Sequence, residues 1–388
     1  MDGAGPLSLY LHVPFCAAKC GYCSFYSRTP TDGEVDLWLD ALEAEAAVWR
    51  ARFGGRVHLR TLYVGGGTPS LLPEAAWRRL LSIITDLADL SCLAEATVEA
   101  NPSSLSRELL SLWRDGGVTR VSLGVQSLND DELRSLGRLH NAAGALRAME
   151  LVLKAGFSLS ADLIFGLPGQ TLGAWDASLR GVLAAGVGHL SCYQLTLEPD
   201  TPMGRRASVL PDGYPLYRYT QWFLPKKDFL QYEISSFAPQ GAECRHNLAY
   251  WRQEDVLALG PAAWGYLGGL RYANPGTLEE YFAASRRGFQ GVLEAGERLS
   301  RRGRAVEAAI LLLRTRWGID RADFVRRWGQ GISSEVRDVL KKIPPHLVRM
   351  DAETAALTPE GMRVGNSIWA ELMELMSPEA SDDAQKEG

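Results

Sequence analysis

Three cysteines stand within eight consecutive positions near the start of the chain. Cys16, Cys20 and Cys23 form a C-x3-C-x2-C loop that directly follows an apolar run at 7–13. Three thiolates without a fourth cysteine nearby suit a [4Fe-4S] cluster with one iron free of protein ligands, because clusters held by protein alone usually take four. An iron of this kind is able to bind a substrate or cosubstrate.

A structural zinc ion is the alternative interpretation of the cysteine loop. It would need a fourth ligand, and His12, four residues before Cys16, is the nearest candidate. A structural zinc ion gives no reason for the Gly-rich segment at 65–68, however. The sequence therefore favours the cluster, with zinc as the second interpretation.

The elements that carry this loop alternate between short β-rich runs and amphipathic stretches of helical length. Such alternation predicts βα units around a parallel sheet. The predicted strands are 7–13, 61–64, 96–100, 120–125, 159–164 and 189–195, and the predicted helices between them are 35–52, 73–90, 106–114, 142–155 and 172–185. Six strands in this order form either an open doubly wound sheet or an incomplete barrel, and periodicity alone does not separate the two.

Polar or Gly-rich residues follow every predicted strand. Because the carboxyl ends of parallel strands meet at one edge, where ligands bind, these residues are expected to share one site. They are His12 and the segments 16–23, 65–68, 99–102, 124–127, 162–166 and 194–196.

The chain changes character twice after the predicted βα region. We expect a core domain over 1–210, an aromatic-rich extension over 211–298, a small mainly helical domain over 299–376 and a disordered polar tail over 377–388. The helices expected in the small domain are 305–314, 320–328, 334–341 and 360–376. Its many arginines are interpreted as a solvated helix face rather than a nucleic-acid surface.

Composition and charge exclude several other classes of protein. The 388 residues are 46% hydrophobic and 22% charged, which is ordinary for a globular protein. With 41 basic and 46 acidic side chains, the formal net charge of −5 argues against a protein that mainly binds nucleic acid. The sequence has no apolar stretch of membrane-spanning length and no secretory signal pattern, so we expect a cytoplasmic protein.

The cysteine loop and its place after the first strand resemble the radical S-adenosylmethionine (SAM) superfamily. The resemblance implies an α/β fold: a partial (β/α)6 radical SAM barrel with an extension and a small mainly helical C-terminal domain. It also implies that SAM chelates the open iron of the cluster, and that one electron from the reduced cluster splits SAM to a 5′-deoxyadenosyl radical. A reductant such as flavodoxin or ferredoxin would supply that electron.

Several strand-end residues match positions that look like SAM contacts in the superfamily. The resemblance implies that Gly66, Gly67 and Thr68 hold the SAM amino group through close backbone approach and amide donors, and that Tyr22 packs near the adenine. The other expected cofactor contacts are Tyr10, Glu99, Gln126, Arg138, Asp162 and Thr196.

Longer stretches are similar to the oxygen-independent coproporphyrinogen oxidase-like group, and within it to the HemW family of haem chaperones. These stretches include 7–16, 65–69, 123–127, 162–170, 193–199 and 246–251, so the likeness covers nearly the whole chain. True coproporphyrinogen oxidases have a longer N-terminal extension and a further cysteine two residues after the third ligand. Here that position is Phe25, so coproporphyrinogen oxidase activity is not expected.

The segment 246–251, with sequence H-N-L-A-Y-W, carries the expected haem site. Neutral imidazole is a standard axial ligand of haem iron, which makes His246 the candidate, with Tyr250 and Trp251 beside the macrocycle. A structural histidine is the alternative. The family typically continues with G-x-G-A-H, whereas this chain has Ala262 in place of a glycine and Trp264 in place of a histidine.

Three functions follow from these patterns. The first is a HemW-like haem chaperone that binds a [4Fe-4S] cluster, SAM and haem, and delivers haem to an unknown acceptor protein. The second is a radical SAM enzyme, either a methyltransferase or a tetrapyrrole-modifying oxidoreductase, that acts on an unknown substrate. The third is a zinc-stabilised binding module. Haem retention would mark the first function and SAM turnover the second.

Overall fold

The computed structural model describes residues 7–205, 210–292 and 295–376. Its first part alternates strands with helices, in agreement with the sequence pattern. The strands are β1 (Leu7–Val13), β2 (Val57–Gly66), β3 (Ala88–Asp89), β4 (Glu95–Ala100), β5 (Arg120–Gln126), β6 (Ser158–Phe165) and β7 (His189–Gln194). The helices are α1 (Glu34–Phe53), α2 (Glu74–Leu87), α3 (Arg107–Asp115), α4 (Asp130–Ser135), α5 (Ala142–Lys154) and α6 (Leu172–Ala184).

Six strands form a parallel sheet in the order β1-β2-β4-β5-β6-β7, and β3 pairs beside β2. This order follows the chain without the reversal that defines a doubly wound sheet, so the strands curve as a barrel does. The two outer strands pair with later parts of the chain: β1 with β10 (Val256–Leu259) and β7 with β9 (Ser236–Ala238). The expected partial (β/α)6 barrel is confirmed.

The inner face of this sheet is polar. Thr61, Thr97, Ser122, Ser160 and Ser191 are all buried, and alternation along each strand places them on the face opposite the apolar side chains that meet the helices. A barrel interior lined with hydroxyl groups cannot form a dry apolar core. It is suited to holding a polar ligand.

The later part of the chain extends the sheet at both edges and forms a second core. The remaining strands are β8 (Leu230–Gln231), β11 (Trp264–Leu267), β12 (Leu270–Ala273), β13 (Glu297–Arg298), β14 (Ile319–Asp320), β15 (Val348–Met350) and β16 (Thr354–Leu357). The remaining helices are α7 (Tyr214–Phe223), α8 (Arg245–Trp251), α9 (Leu278–Arg286), α10 (Arg301–Leu313), α11 (Arg321–Trp328), α12 (Gln330–Lys342), α13 (Pro359–Arg363) and α14 (Gly365–Met373). Side chains from α10 onward form the second hydrophobic core, around the sheet β14-β16-β15.

The end of the chain differs from the predicted helix pattern. The single helix predicted over 360–376 is wrong, because the chain leaves helical geometry at Val364 and forms α13 and α14 separately. The predicted disordered tail at 377–388 lies outside the described residues, as does the start at 1–6. Of the helices in the described ranges, none combines the length and the apolar character needed to cross a membrane.

Candidate functional site

The carboxyl ends of the parallel strands surround a cavity of about 400 Å3. Ten of the predicted site residues line it: Tyr22, Cys23, Gly66, Gly67, Thr68, Glu99, Gln126, Arg138, Asp162 and Thr196. Cys20 lies in an adjoining cleft, which Thr68 and Arg138 also line. The carboxyl ends of the strands thus bring together residues that are far apart in the chain.

The cysteine loop lies at the edge of this cavity, with its three thiols partly exposed. The hydroxyl of Thr68 donates to Cys16 Sγ over 3.4 Å, and Arg138 Nη1 donates to Cys20 Sγ over 3.4 Å. Hydrogen bonds of this kind stabilise the sulfur ligands of an iron–sulfur cluster. Three accessible thiols with two donors at the mouth of a polar cavity fit a cluster with one open iron.

The zinc alternative has no support in the geometry. In the described parts of the chain, no three cysteine, histidine or acidic side chains lie close enough together to hold a single metal ion. His12, the proposed fourth ligand, is buried, with Nε2 2.9 Å from the carbonyl of Tyr26 and Nδ1 3.1 Å from the hydroxyl of Tyr10. A cluster avoids this difficulty because each thiolate binds a different iron atom.

The Gly-rich segment approaches the cysteine loop closely but does not offer amide donors to a ligand. Gly67 N donates to Val13 O and Thr68 N donates to Phe15 O, both over 2.7 Å, while Gly66 N donates to the carboxyl of Glu99. In this structure the three amides are thus already paired within the protein, and the contact of Gly66, Gly67 and Thr68 with SAM stays a prediction. The amino group of SAM is a cation that needs acceptors, and the carboxyl of Glu99 lies beside this segment.

Glu99 is an acid of the cavity with a perturbed pKa. Its Oε1 accepts from the Tyr63 hydroxyl over 2.8 Å and its Oε2 from Gly66 N over 3.0 Å. Burial raises the pKa of Glu99 to about 7, although solvent still reaches this side chain through the cavity. Asp162, which accepts from Ser122 over 3.1 Å, also has its pKa raised by burial.

Gln126 and Arg138 meet where β5 bulges. The register between β5 and β6 shifts between Gly124 and Gln126, and Gln126 has a left-handed backbone with φ of 66°. A non-glycine residue in this region costs free energy, and such residues cluster at ligand sites. Arg138 Nη2 donates to Gly124 O over 2.8 Å and so connects the bulge to the cysteine loop.

Tyr10 is not among the residues that line the cavity. Its ring stacks on Tyr63, with ring centroids 6.2 Å apart, and its hydroxyl contacts His12. In this structure Tyr10 therefore supports Tyr63, one layer beneath the cavity, and its assignment as a direct SAM contact stays a prediction.

His246 lies in the interior of the barrel and is only 1% exposed. Its Nδ1 is 2.8 Å from the hydroxyl of Thr61, and its Nε2 is buried without a hydrogen-bond partner. Burial lowers the pKa of His246 to about 3, so the ring is neutral. The neighbouring Tyr250 packs edge-on against the ring, and Trp251 packs under Arg314 of the C-terminal region. The buried Nε2 is therefore not accessible to a haem macrocycle in this conformation.

Several residues that the sequence did not predict also line the cavity. Tyr63, Ser122 and Tyr193 point into it from β2, β5 and β7. Tyr193 is 44% exposed, and the exposed part faces the cavity. The available signal was the alternation along each strand: Tyr63 precedes Gly65 by two residues and Ser122 precedes Gly124 by two, so each shares a face with its strand end.

The loop that departs from the family pattern leads into β11. Ala262 has a left-handed backbone with φ of 57°, a conformation in which glycine pays no steric penalty. Trp264 is 62% exposed and does not line the cavity. Ala262 in place of glycine therefore adds backbone strain. Trp264 places an indole on the surface where the family pattern has the imidazole of a histidine.

Comparison with known proteins agrees with this geometry. The profile of the Radical SAM superfamily matches residues 10–180. The solved structure of coproporphyrinogen III oxidase (HemN) from Escherichia coli matches with a TM-score of 0.83 and 25% identity, over 95% of this chain and 90% of that one. Fold and cysteine loop thus define a radical SAM protein, and this class carries a [4Fe-4S] cluster and SAM.

Similarity to curated proteins extends over most of the chain. A protein named heme chaperone HemW from Bacillus subtilis is 34% identical over 93% of this chain and 98% of its own length. Relatives with the same name are 32% identical in Lactococcus lactis, over 95% of this chain and 97% of theirs, and 38% identical in Escherichia coli, over 67% and 70%. This chain belongs to the HemW family.

Proposed function

We propose that this protein is a haem chaperone, which binds haem and delivers it to acceptor proteins. The observation that carries the proposal is the similarity to the Bacillus subtilis protein named heme chaperone HemW, which spans 93% of this chain and so includes both cores. The acceptor would be a protein that holds haem more tightly than this chain does.

The cavity supports a role for the cluster and SAM in this function. Cys16, Cys20 and Cys23 would hold the cluster, and SAM would lie above Glu99 and Asp162, where two half-buried carboxyls face its positive charges. When bound, the reduced cluster supplies one electron to SAM. The protein contributes acceptors, orientation and shelter from water.

The choice of haem ligand depends on which histidines are accessible. Four of the six histidines, His12, His140, His189 and His246, are buried, and His58 and His346 are exposed. If haem binds through an imidazole without opening the barrel, the ligand is therefore His58 or His346. Single alanine variants of these two residues belong in any haem titration.

A second candidate is a radical SAM enzyme. The observation that favours it is the cavity itself, because a space of about 400 Å3 is large enough for a small-molecule ligand and every expected SAM contact except Tyr10 lines it. Such an enzyme would consume SAM only when its own substrate is present.

The test uses full-length protein reconstituted anaerobically with iron and sulfide. Haem is titrated while the Soret band is followed, and the loaded protein is then mixed with apomyoglobin as a generic acceptor. A saturable band that moves to apomyoglobin supports the chaperone. Absence of saturable haem binding, together with formation of 5′-deoxyadenosine, would replace it by the enzyme.

A further inference from the structure

Helix α8, which carries the H-N-L-A-Y-W segment, closes the barrel at the amino-terminal ends of the strands. The carboxyl of Glu95, at the start of β4, accepts from the backbone amides of Arg245 and His246, each over 3.0 Å. The thiol of Cys244 donates to the same carboxyl over 3.4 Å. This carboxyl therefore fixes the start of α8 inside the barrel, beneath the cavity.

From this position the imidazole of His246 supports the ring of Tyr63. The two rings stack with centroids 5.1 Å apart and an interplanar angle of 30°. Tyr63 also stacks on Tyr10, while Thr61, two residues earlier on β2, holds Nδ1 of the imidazole. The position of the Tyr63 ring thus depends on two aromatic neighbours, one of which is His246.

Tyr63 in turn orients the carboxyl of Glu99. Its hydroxyl donates to Glu99 Oε1 over 2.8 Å, and both side chains line the cavity. Glu99 has only one other donor in the described residues, Gly66 N. A displaced Tyr63 ring would remove half of the hydrogen bonds that hold this carboxyl.

We propose that His246 is a positioning residue of the SAM cavity, acting through Tyr63 on Glu99, and is not an axial ligand of haem. The inference rests on the proposed SAM site, with Glu99 as one of its contacts. It explains why an imidazole that is 1% exposed lies beneath a cavity, and why its Nε2, the atom that haem ligation would need, has no access to a macrocycle.

The decisive variant is His246→Phe. Phenylalanine keeps a flat ring for Tyr63 to stack on but has no atom that can bind iron. It loses the contact of Nδ1 with Thr61, whose hydroxyl still donates to Ser8 over 2.8 Å. His246→Ala removes the ring altogether, Tyr63→Phe removes only the hydroxyl, and His58→Ala changes an exposed histidine at the other end of β2.

SAM affinity is measured by calorimetry on the reconstituted full-length proteins, and haem affinity by Soret titration. We expect His246→Ala and Tyr63→Phe to weaken SAM binding about tenfold, as the loss of a hydrogen bond to a charged group does. His246→Phe should stay within about threefold of wild type, because the stacking surface remains. Haem affinity should be unchanged in all three variants.

The outcomes separate this inference from the proposed function. If wild type binds SAM and His246→Phe loses haem while SAM affinity is unchanged, His246 is a haem ligand and the inference is wrong. Equal SAM affinity in wild type and His246→Ala also overturns it. If wild type binds no SAM, the proposed SAM site itself has failed. If His246→Ala does not fold, the SAM and haem affinities of His246→Phe and Tyr63→Phe still test the role of His246.

Discussion

Arg138 joins two separate parts of the candidate site through one guanidinium group. Its Nη1 donates to Cys20 Sγ over 3.4 Å and its Nη2 donates to Gly124 O over 2.8 Å. The cysteine loop follows β1, whereas Gly124 lies at the end of β5, across the barrel. The position of the cysteine loop relative to the cavity is thus set partly by this side chain.

We therefore expect Arg138→Ala to loosen the cysteine loop and weaken SAM binding. The variant should lose iron to a chelator several-fold faster than wild type and bind SAM about tenfold more weakly, because two hydrogen bonds from a charged donor are lost. Iron content over time and calorimetry measure these effects. The control is Arg134→Ala on α4, which removes an arginine that is 75% exposed and pairs with Asp131. Equal behaviour of the two variants would contradict the role of Arg138.

The three loop cysteines should be necessary for the cluster, and the other cysteines should not. Replacing Cys16, Cys20 and Cys23 together by alanine is expected to abolish incorporation of iron and the brown colour after reconstitution, since thiolates are the ligands. The matched control is Cys92→Ala, because Cys92 is exposed and lies far along the chain. Iron and acid-labile sulfide per chain are measured. A triple variant that keeps its iron would refute the cluster assignment.

Glu99 should make the stability of the protein without cofactors depend on pH. Burial raises the pKa of this carboxyl to about 7 from an ordinary value of 4.5. Between these two values the unfolded chain releases the proton while the folded protein keeps it, so the free energy of unfolding falls as pH rises from about 4.5 to about 7. The full effect is up to about 3 kcal/mol.

Glu99→Gln removes this dependence, because glutamine does not ionise. The stability of the variant relative to wild type should improve by up to about 3 kcal/mol between pH 4.5 and pH 8, measured by urea unfolding at each pH. Glu45, whose pKa burial also raises to about 7, is present in both proteins and cancels in the comparison. Parallel stability curves for the two proteins would show that Glu99 titrates normally.

The sequence was informative about the barrel because parallel strands leave a local signal. Leu7–Val13 was predicted to the residue, and the other five strands of the parallel sheet overlap their predicted ranges. Each strand is an apolar run followed by glycine or polar residues, so its end could be located in the sequence. Because the carboxyl ends of parallel strands meet at one edge of the sheet, the residues at these ends were expected to share one site. Nine of the ten predicted residues that line the cavity lie in the segments that this rule selects, whereas Arg138 came from the family resemblance.

The interior contacts could not be found in the same way. Tyr63 meets His246 although 183 positions, 246 − 63, separate them, and neither residue belongs to a periodic pattern that reports the other. Glu95 similarly holds the start of α8 from the far end of β4. Such contacts arise from tertiary packing. A motif such as H-N-L-A-Y-W identifies residues but does not indicate the orientation of their side chains in the fold.

The last prediction concerns the loop between β10 and β11, where the backbone at Ala262 is left-handed with φ of 57°. The alanine methyl group makes this conformation costly by about 1 to 2 kcal/mol, and glycine avoids the cost at a smaller entropic penalty in the unfolded chain. Ala262 cannot relax easily, because its amide donates to Pro275 O over 2.7 Å. Ala262→Gly should therefore raise the free energy of unfolding by about 1 kcal/mol.

The neighbouring Ala263→Gly is the matched control. Ala263 is 1% exposed and is not among the residues with a left-handed backbone, so removing its methyl group should destabilise the protein by about 1 kcal/mol. Urea unfolding of both variants measures the difference. Opposite signs would show that the strain lies at the position where the family pattern has glycine. A destabilised Ala262→Gly variant would mean instead that contacts of the alanine methyl outweigh the backbone strain.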